Sequence, residues 1–153
     1  MSRKKTLIIK QLDQKLKQLS GLDSVPAPAG GWIKSIRTAI NMSLRQLGNK
    51  LGTNVASVNE LEKREIEGAI TIKKMNEVAR ALDMKFTYAF IPKTGTLENM
   101  IEKRAKELAT EIVLRTSQTM KLEDQQNSDT RINDAIRERT EELKNELPKI
   151  LWD

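Results

Sequence analysis

The stretch Ser43 to Glu62, SLRQLGNKLGTNVASVNELE, constrains this chain more than any other part of it. Leu44, Leu47 and Leu51 recur at three- and four-residue steps, Val58 and Leu61 do the same, and Gly52 stands between the two sets. That spacing predicts two short amphipathic helices joined by a tight turn. Ser43 with Gln46 three residues on is a capping-box pattern for the start of the first helix. Gly52 stops that helix by taking a left-handed conformation, and Asn54 can cap the second. For Leu47, Leu51, Val58 and Leu61 to meet beneath so short a turn, the two helices must cross steeply, and Gly48 is small enough to let them approach. The layout is that of a helix-turn-helix, whose second helix is placed to enter the major groove of DNA.

With Val58 and Leu61 turned inward, a step of about 100° per residue turns Ala56, Glu60 and Lys63 outward and puts Ser57, Asn59 and Arg64 on the flanks. Asn59 suits adenine, Glu60 can accept from the amino group of cytosine, and Ala56 can touch a thymine methyl. A bare carboxylate near phosphates is costly, so Glu60 is either a base reader or paired with Lys63 or Arg64. Asn54 and Ser57, near the helix start, are better placed for phosphate or edge bonds. Positioning contacts are expected from the rim. Arg45 starts the preceding helix, while Thr71, Lys73 and Lys74 start the following one, where helix N-termini favour phosphate. The alternative for each lysine or arginine is a solvated charge.

The charge distribution points the same way. Residues 1–31 hold six basic and two acidic side chains, residues 32–96 eleven and six, and residues 97–153 ten and thirteen, so the net charges are +4, +5 and −3. A basic front and an acidic back suggest that nucleic acid meets the first two segments. With no cysteine and no histidine, disulfides, thiol chemistry and most zinc sites are excluded, and the commonest general base is missing. An enzyme is therefore disfavoured, and no cofactor or metal is expected. No apolar run approaches eighteen residues and no signal-peptide pattern appears, which predicts a cytoplasmic protein with no membrane partner.

The remaining segments divide the chain into three. Residues 1–31 read as a helix with an apolar stripe (Leu7, Ile8, Leu12, Leu16, Leu19) and a linker, Gly21 to Gly31, containing Pro26 and Pro28. Residues 32–96 carry the helix-turn-helix. Its first helix is marked by Trp32, Ile33, Ile36 and Ile40. Its fourth is capped by Thr71 and faces Ile72, Met75, Val78, Ala79 and Leu82 inward. The segment then trails into Lys85–Ile91, where Phe86, Tyr88 and Phe90 alternate as in a strand. A lone strand cannot satisfy its backbone, so its partner is either elsewhere in the chain or the same strand of a second subunit; the second is expected, because no other segment reads clearly as a strand. Residues 97–153 read as two amphipathic helices, an antiparallel pair or an extension of a dimer interface. Ile101, Ala105, Leu108, Ile112, Thr116 and Met120 mark the first, Asn127, Ser128 and Asp129 break the pattern, and Ile132, Ile136, Leu143 and Leu147 mark the second.

QLDQKL, GWIKSIR, MSLRQLGNKLG, EKREIEGAITI, ALDMKFTYAFIPK, TMKLEDQ and the closing LWD carry a resemblance. The Ser43–Glu62 block resembles the phage-repressor-type (Xre-like) helix-turn-helix superfamily. From about residue 10 to the end the chain looks like the family called mobile mystery protein A. The superfamily resemblance implies base-reading positions at Asn54, Val55, Ala56, Ser57, Asn59 and Glu60. It departs at Leu44, where such proteins often carry a glutamine that braces the helix on a phosphate. The family resemblance implies a DNA-binding regulator encoded beside a Fic-domain protein in a toxin–antitoxin-like gene pair. Thr94, Gly95, Thr96, Leu97, Glu98 and Asn99 also fit the letters of the inhibitory Ser/Thr-x-x-x-Glu-Gly/Asn signature of Fic antitoxins. That pattern is loose, and the expected reading of these residues is a helix start capped by Thr96.

The expectation is thus an all-α protein: an Xre-like domain, one short intermolecular β-strand (Phe86, Tyr88, Phe90) and a C-terminal helical pair. Its expected role is sequence-specific binding of double-stranded DNA as a homodimer that represses its own operon. The alternative is an antitoxin that binds and inhibits a Fic-domain toxin directly.

Overall fold

The computed structural model describes residues 3–120 and 129–153. Among these the chain is all α. Its helices are α1 (Arg3–Leu19), α2 (Trp32–Ala39), α3 (Leu44–Leu51), α4 (Val55–Glu67), α5 (Ile72–Ala81), α6 (Leu97–Met120) and α7 (Asp129–Glu146), with 3₁₀ turns at Leu22–Ser24 and Lys149–Trp152. Most of TMKLEDQ, the Asn127–Ser128 break and the side chain of Met120 lie outside the description. No helix among the described residues is long and apolar enough to cross a membrane. The chain divides into two compact units, one of Asp23–Tyr88 and one that joins Met1–Leu22 to Ala89–Asp153.

The Asp23–Tyr88 unit holds α2 to α5 around Ile33, Leu47, Val58, Leu61 and Val78, with Met42, Leu44, Leu51, Ile70, Met75 and Leu82 packed against them. The starts of α3, α4 and α5 have local causes. Ser43 and Gln46 form the expected capping box on α3, Asn54 Oδ1 accepts from the Ser57 N–H, and Thr71 Oγ1 accepts from the Lys74 N–H. Gly52 closes α3 at φ 67°. Gly48 is needed for space. A Cβ there would stand 3.0 Å from the Thr53 carbonyl oxygen and 3.4 Å from Asn54, at the turn that leads into α4. Gly48→Val is accordingly expected to destabilise this unit by about 1–3 kcal/mol through overpacking, read as a lower urea midpoint with an unchanged slope.

Two expectations are corrected here, and a third finds no support within the chain. Along α2, Ile33 is buried but Trp32 and Ile40 are 42% and 55% exposed, and Arg37 takes the inward place one turn after Ile33. Ile72 is 51% exposed, because α5 turns Met75 and Val78 to the core instead. Lys85–Ile91 forms no strand within the chain: residues 84–92 carry no regular structure. A strand exists only through a ladder, and among the described residues no other segment is a strand to supply one. Phe86 and Tyr88 do share a side, with ring centroids 6.3 Å apart.

In the other unit α6 and α7 fold back as an antiparallel pair. Glu102 near the start of α6 lies 3.6 Å from Lys144 near the end of α7, and Ile101, Ala105, Leu108, Ala109, Leu143 and Leu151 form the core. Thr116 is exposed, its hydroxyl bonded to the Ile112 carbonyl. Burial opposes the charge on Lys144, but the carboxylates of Glu141 and Glu102 outweigh it and raise the ammonium pKa. Helix α1 belongs to this unit rather than standing apart. It packs on α6 through Ile9, and the Asp13 carboxylate accepts from the N–H groups of Leu97 and Glu98 at the start of α6. Thr96 Oγ1 accepts from the Asn99 N–H, so the Thr94–Asn99 segment is a capped helix start. The closing tail is held by Arg104, which donates to the carbonyls of Leu151 and Asp153.

Candidate nucleic-acid interface

Helix α4 has two faces with opposite assignments. Inward, Val58 and Leu61 meet the core, and Glu62 and Glu65 continue the same stripe one turn further on. Both carboxylates are spoken for. Glu62 is 4% exposed and accepts from Arg37 Nε at 2.6 Å and Nη2 at 3.3 Å, while Arg37 Nη1 donates to the Met42 carbonyl at 2.9 Å. Glu65 accepts from the N–H groups of Trp32 and Ile33, two of the free donors at the start of α2. This places a carboxylate at the positive end of that helix. It also explains Gly31, whose φ is 81° and where a Cβ would lie 2.8 Å from Glu65 Oε2. Two polar bridges therefore pin α4 to α2, one buried and one at a helix cap.

The outward face is left free of the core. Ala56, Asn59, Glu60, Lys63 and Arg64 are exposed and Ser57 is half-buried, as the 100° spacing predicts. Val55 is 43% exposed beside the cap. Asn54 is exposed; its Oδ1 accepts from the Ser57 N–H at 2.8 Å, and its amide N–H₂ can donate outward. Glu60 accepts from Arg64 Nε at 3.3 Å, one helical turn on, so of the two neighbouring cations it is Arg64, not Lys63, that pairs with it.

A shallow groove brings part of this face against the start of α5. Its lining includes Asn54 at the cap of α4, Ala56, Ser57, Glu60 and Arg64 from α4 and Lys74 from α5. Lys74 is not a free cation: its ammonium lies 3.0 Å from Glu77, whose carboxyl it holds below the ordinary range by hydrogen bond and charge. Thr71 and Lys73 are exposed at the same helix start, and Arg45 is exposed at the start of α3. Val55, Asn59, Lys63, Lys73 and Arg45 do not line the groove, so the expected contact set is spread around three helix starts rather than gathered in one cleft.

Arg37, Glu62 and Glu65 escaped the reading of the sequence because charged residues are normally assigned to solvent. A signal was present: Glu62 and Glu65 follow Val58 and Leu61 at three- and four-residue steps, on the side that must be buried. Comparison of the chain with protein-family models, with curated proteins and with solved structures gave no significant match.

Proposed function

We propose that the chain is a sequence-specific DNA-binding regulator, in which α3 and α4 form a phage-repressor-type helix-turn-helix and α4 enters the major groove. One observation carries this reading. Helix α4 is fixed from behind by Arg37–Glu62 and by the Glu65 cap, while its outer face presents small, amide and charged side chains that nothing in its own core requires. A reading helix needs that combination of rigidity and a chemically varied, exposed face. The surrounding unit is basic, as a polyanion-binding unit should be.

The protein acts as a homodimer on two half-sites, since one helix offers few base contacts. The Phe86–Phe90 segment is the proposed pairing edge. Tyr88 and Phe90 are 64% and 83% exposed, and the segment has no ladder of its own. By its resemblance to mobile mystery protein A, the chain represses its own operon and is encoded beside a Fic-domain protein.

A gel shift with the DNA upstream of its own gene tests the core claim; affinity no greater than for random duplex of equal length rejects it. The face assignment makes a finer prediction. Asn59→Ala relaxes preference at one base position, whereas Lys73→Ala weakens all duplexes alike and reduces the salt slope by about 0.9. If the two variants shift specificity and salt dependence in the same way, the assignment of reading and positioning roles is wrong.

A further inference from the structure

Resting on the DNA-binding reading above, we infer that Glu60 and Arg64 work as one reading unit, in which Arg64 holds the Glu60 carboxylate in position and Glu60 selects a cytosine in each half-site. Glu60 has two cations within helical reach, Lys63 and Arg64, and pairs with Arg64 through Oε1 and Nε. The pair joins the outer face of α4 to the wall of the groove it shares with Lys74. It is exposed at 52% and 54% on its two side chains, so it adds little to stability. Its consequence is geometric. Among the described residues, one carboxylate oxygen is tethered, the other has no hydrogen bond, and Lys63 has no acidic partner.

A free carboxylate oxygen on the outer face of α4 discriminates sharply between base edges. It is repelled by the O6 and N7 of guanine, by the O4 of thymine and by the N7 beside the adenine amino group. It accepts well from cytosine N4. Once the duplex displaces water from this face, the attraction between the two side chains strengthens and confines the carboxylate against the base edge; Arg64 is a positioning residue here.

The test is selection from a randomised duplex library by the full chain, its Glu60→Gln variant and its Arg64→Ala variant, followed by salt titration of the selected sites. Both positions are exposed, so folding is not at stake. The expected result is one position per half-site with a cytosine preference of about tenfold or more. Glu60→Gln loses that preference or moves it to adenine, which a glutamine amide suits. Arg64→Ala loses it too, with the salt slope unchanged. If Glu60→Gln selects the same motif as the parent, the inference is overturned. It is also overturned if Arg64→Ala keeps the cytosine and lowers the slope by about 0.9, the mark of a phosphate contact. If the parent chain enriches no motif at all, it is the DNA-binding reading itself that fails.

Discussion

Glu62→Ala is expected to lower the stability of the Asp23–Tyr88 unit by about 3–5 kcal/mol, because it strands the Arg37 guanidinium in the interior. Arg37 and Glu62 are 8% and 4% exposed and share two hydrogen bonds. Deleting the acid leaves a buried charge that keeps its bond to the Met42 carbonyl and loses both bonds to Glu62. A loss of this size is a large part of what a small helical unit has to lose. Trp32 lies in this unit and Trp152 in the other. Urea unfolding followed by tryptophan fluorescence in a Trp152→Phe background therefore reports on the right half. The informative control is the double substitution Arg37→Met with Glu62→Leu. Replacing both charges by apolar side chains of similar reach is expected to recover most of the loss, while the Met42 carbonyl goes without its donor. A single-variant loss below about 1 kcal/mol would mean that water reaches Arg37, and that the pair does not hold α4 in the way described.

Leu151→Ala should cost the other unit about 2–5 kcal/mol, the range for emptying a fully buried leucine site. The side chain is completely buried among residues of α6 and α7 although it stands two residues from the end of the sequence. The Arg104 bonds to the Leu151 and Asp153 carbonyls survive the substitution, so the tail remains tethered and the loss reports on packing. Hydrogen exchange measures it directly: amides of α6 and α7 should exchange faster by a factor that follows the lost free energy, while those of α3 and α4 keep their protection. Equal loosening of both units, or of neither, would contradict the assignment of Leu151 to the α6–α7 core. The neighbouring Trp152 is 51% exposed, and its replacement should have far less effect on stability.

The fold of the Asp23–Tyr88 unit was legible where the local chemistry is unambiguous. Ser43 with Gln46, Asn54 and Thr71 each satisfy donors that every helix start leaves open, and the leucines of α3 and α4 recur at the period that buries one side. What escaped depends on neighbours distant in sequence. Trp32 and Ile40 look like core residues by type, yet Arg37 is the side chain of α2 that reaches Glu62, twenty-five positions away. Ile72 has the right period for the core but begins its helix too early to reach it. For Lys85–Ile91 the alternation is real, but alternation describes a strand only when another strand lies alongside.

The outward face of α4 was available from sequence for the same reason as its core face. Once Val58 and Leu61 turn inward, the helical period leaves Ala56, Glu60 and Lys63 nowhere to go but out. The periodicity of one helix thus determined which side chains are presented. Which partner a charged side chain takes within its own helix, Arg64 for Glu60 and Glu77 for Lys74, is settled by rotamers; only the tertiary structure decided that two carboxylates anchor α4 from behind. The helical period is a property of the backbone and repeats wherever a helix forms. The choice of partner for a charged side chain depends on rotamers and on neighbours brought in by the fold, and neither is written in the spacing of the residues.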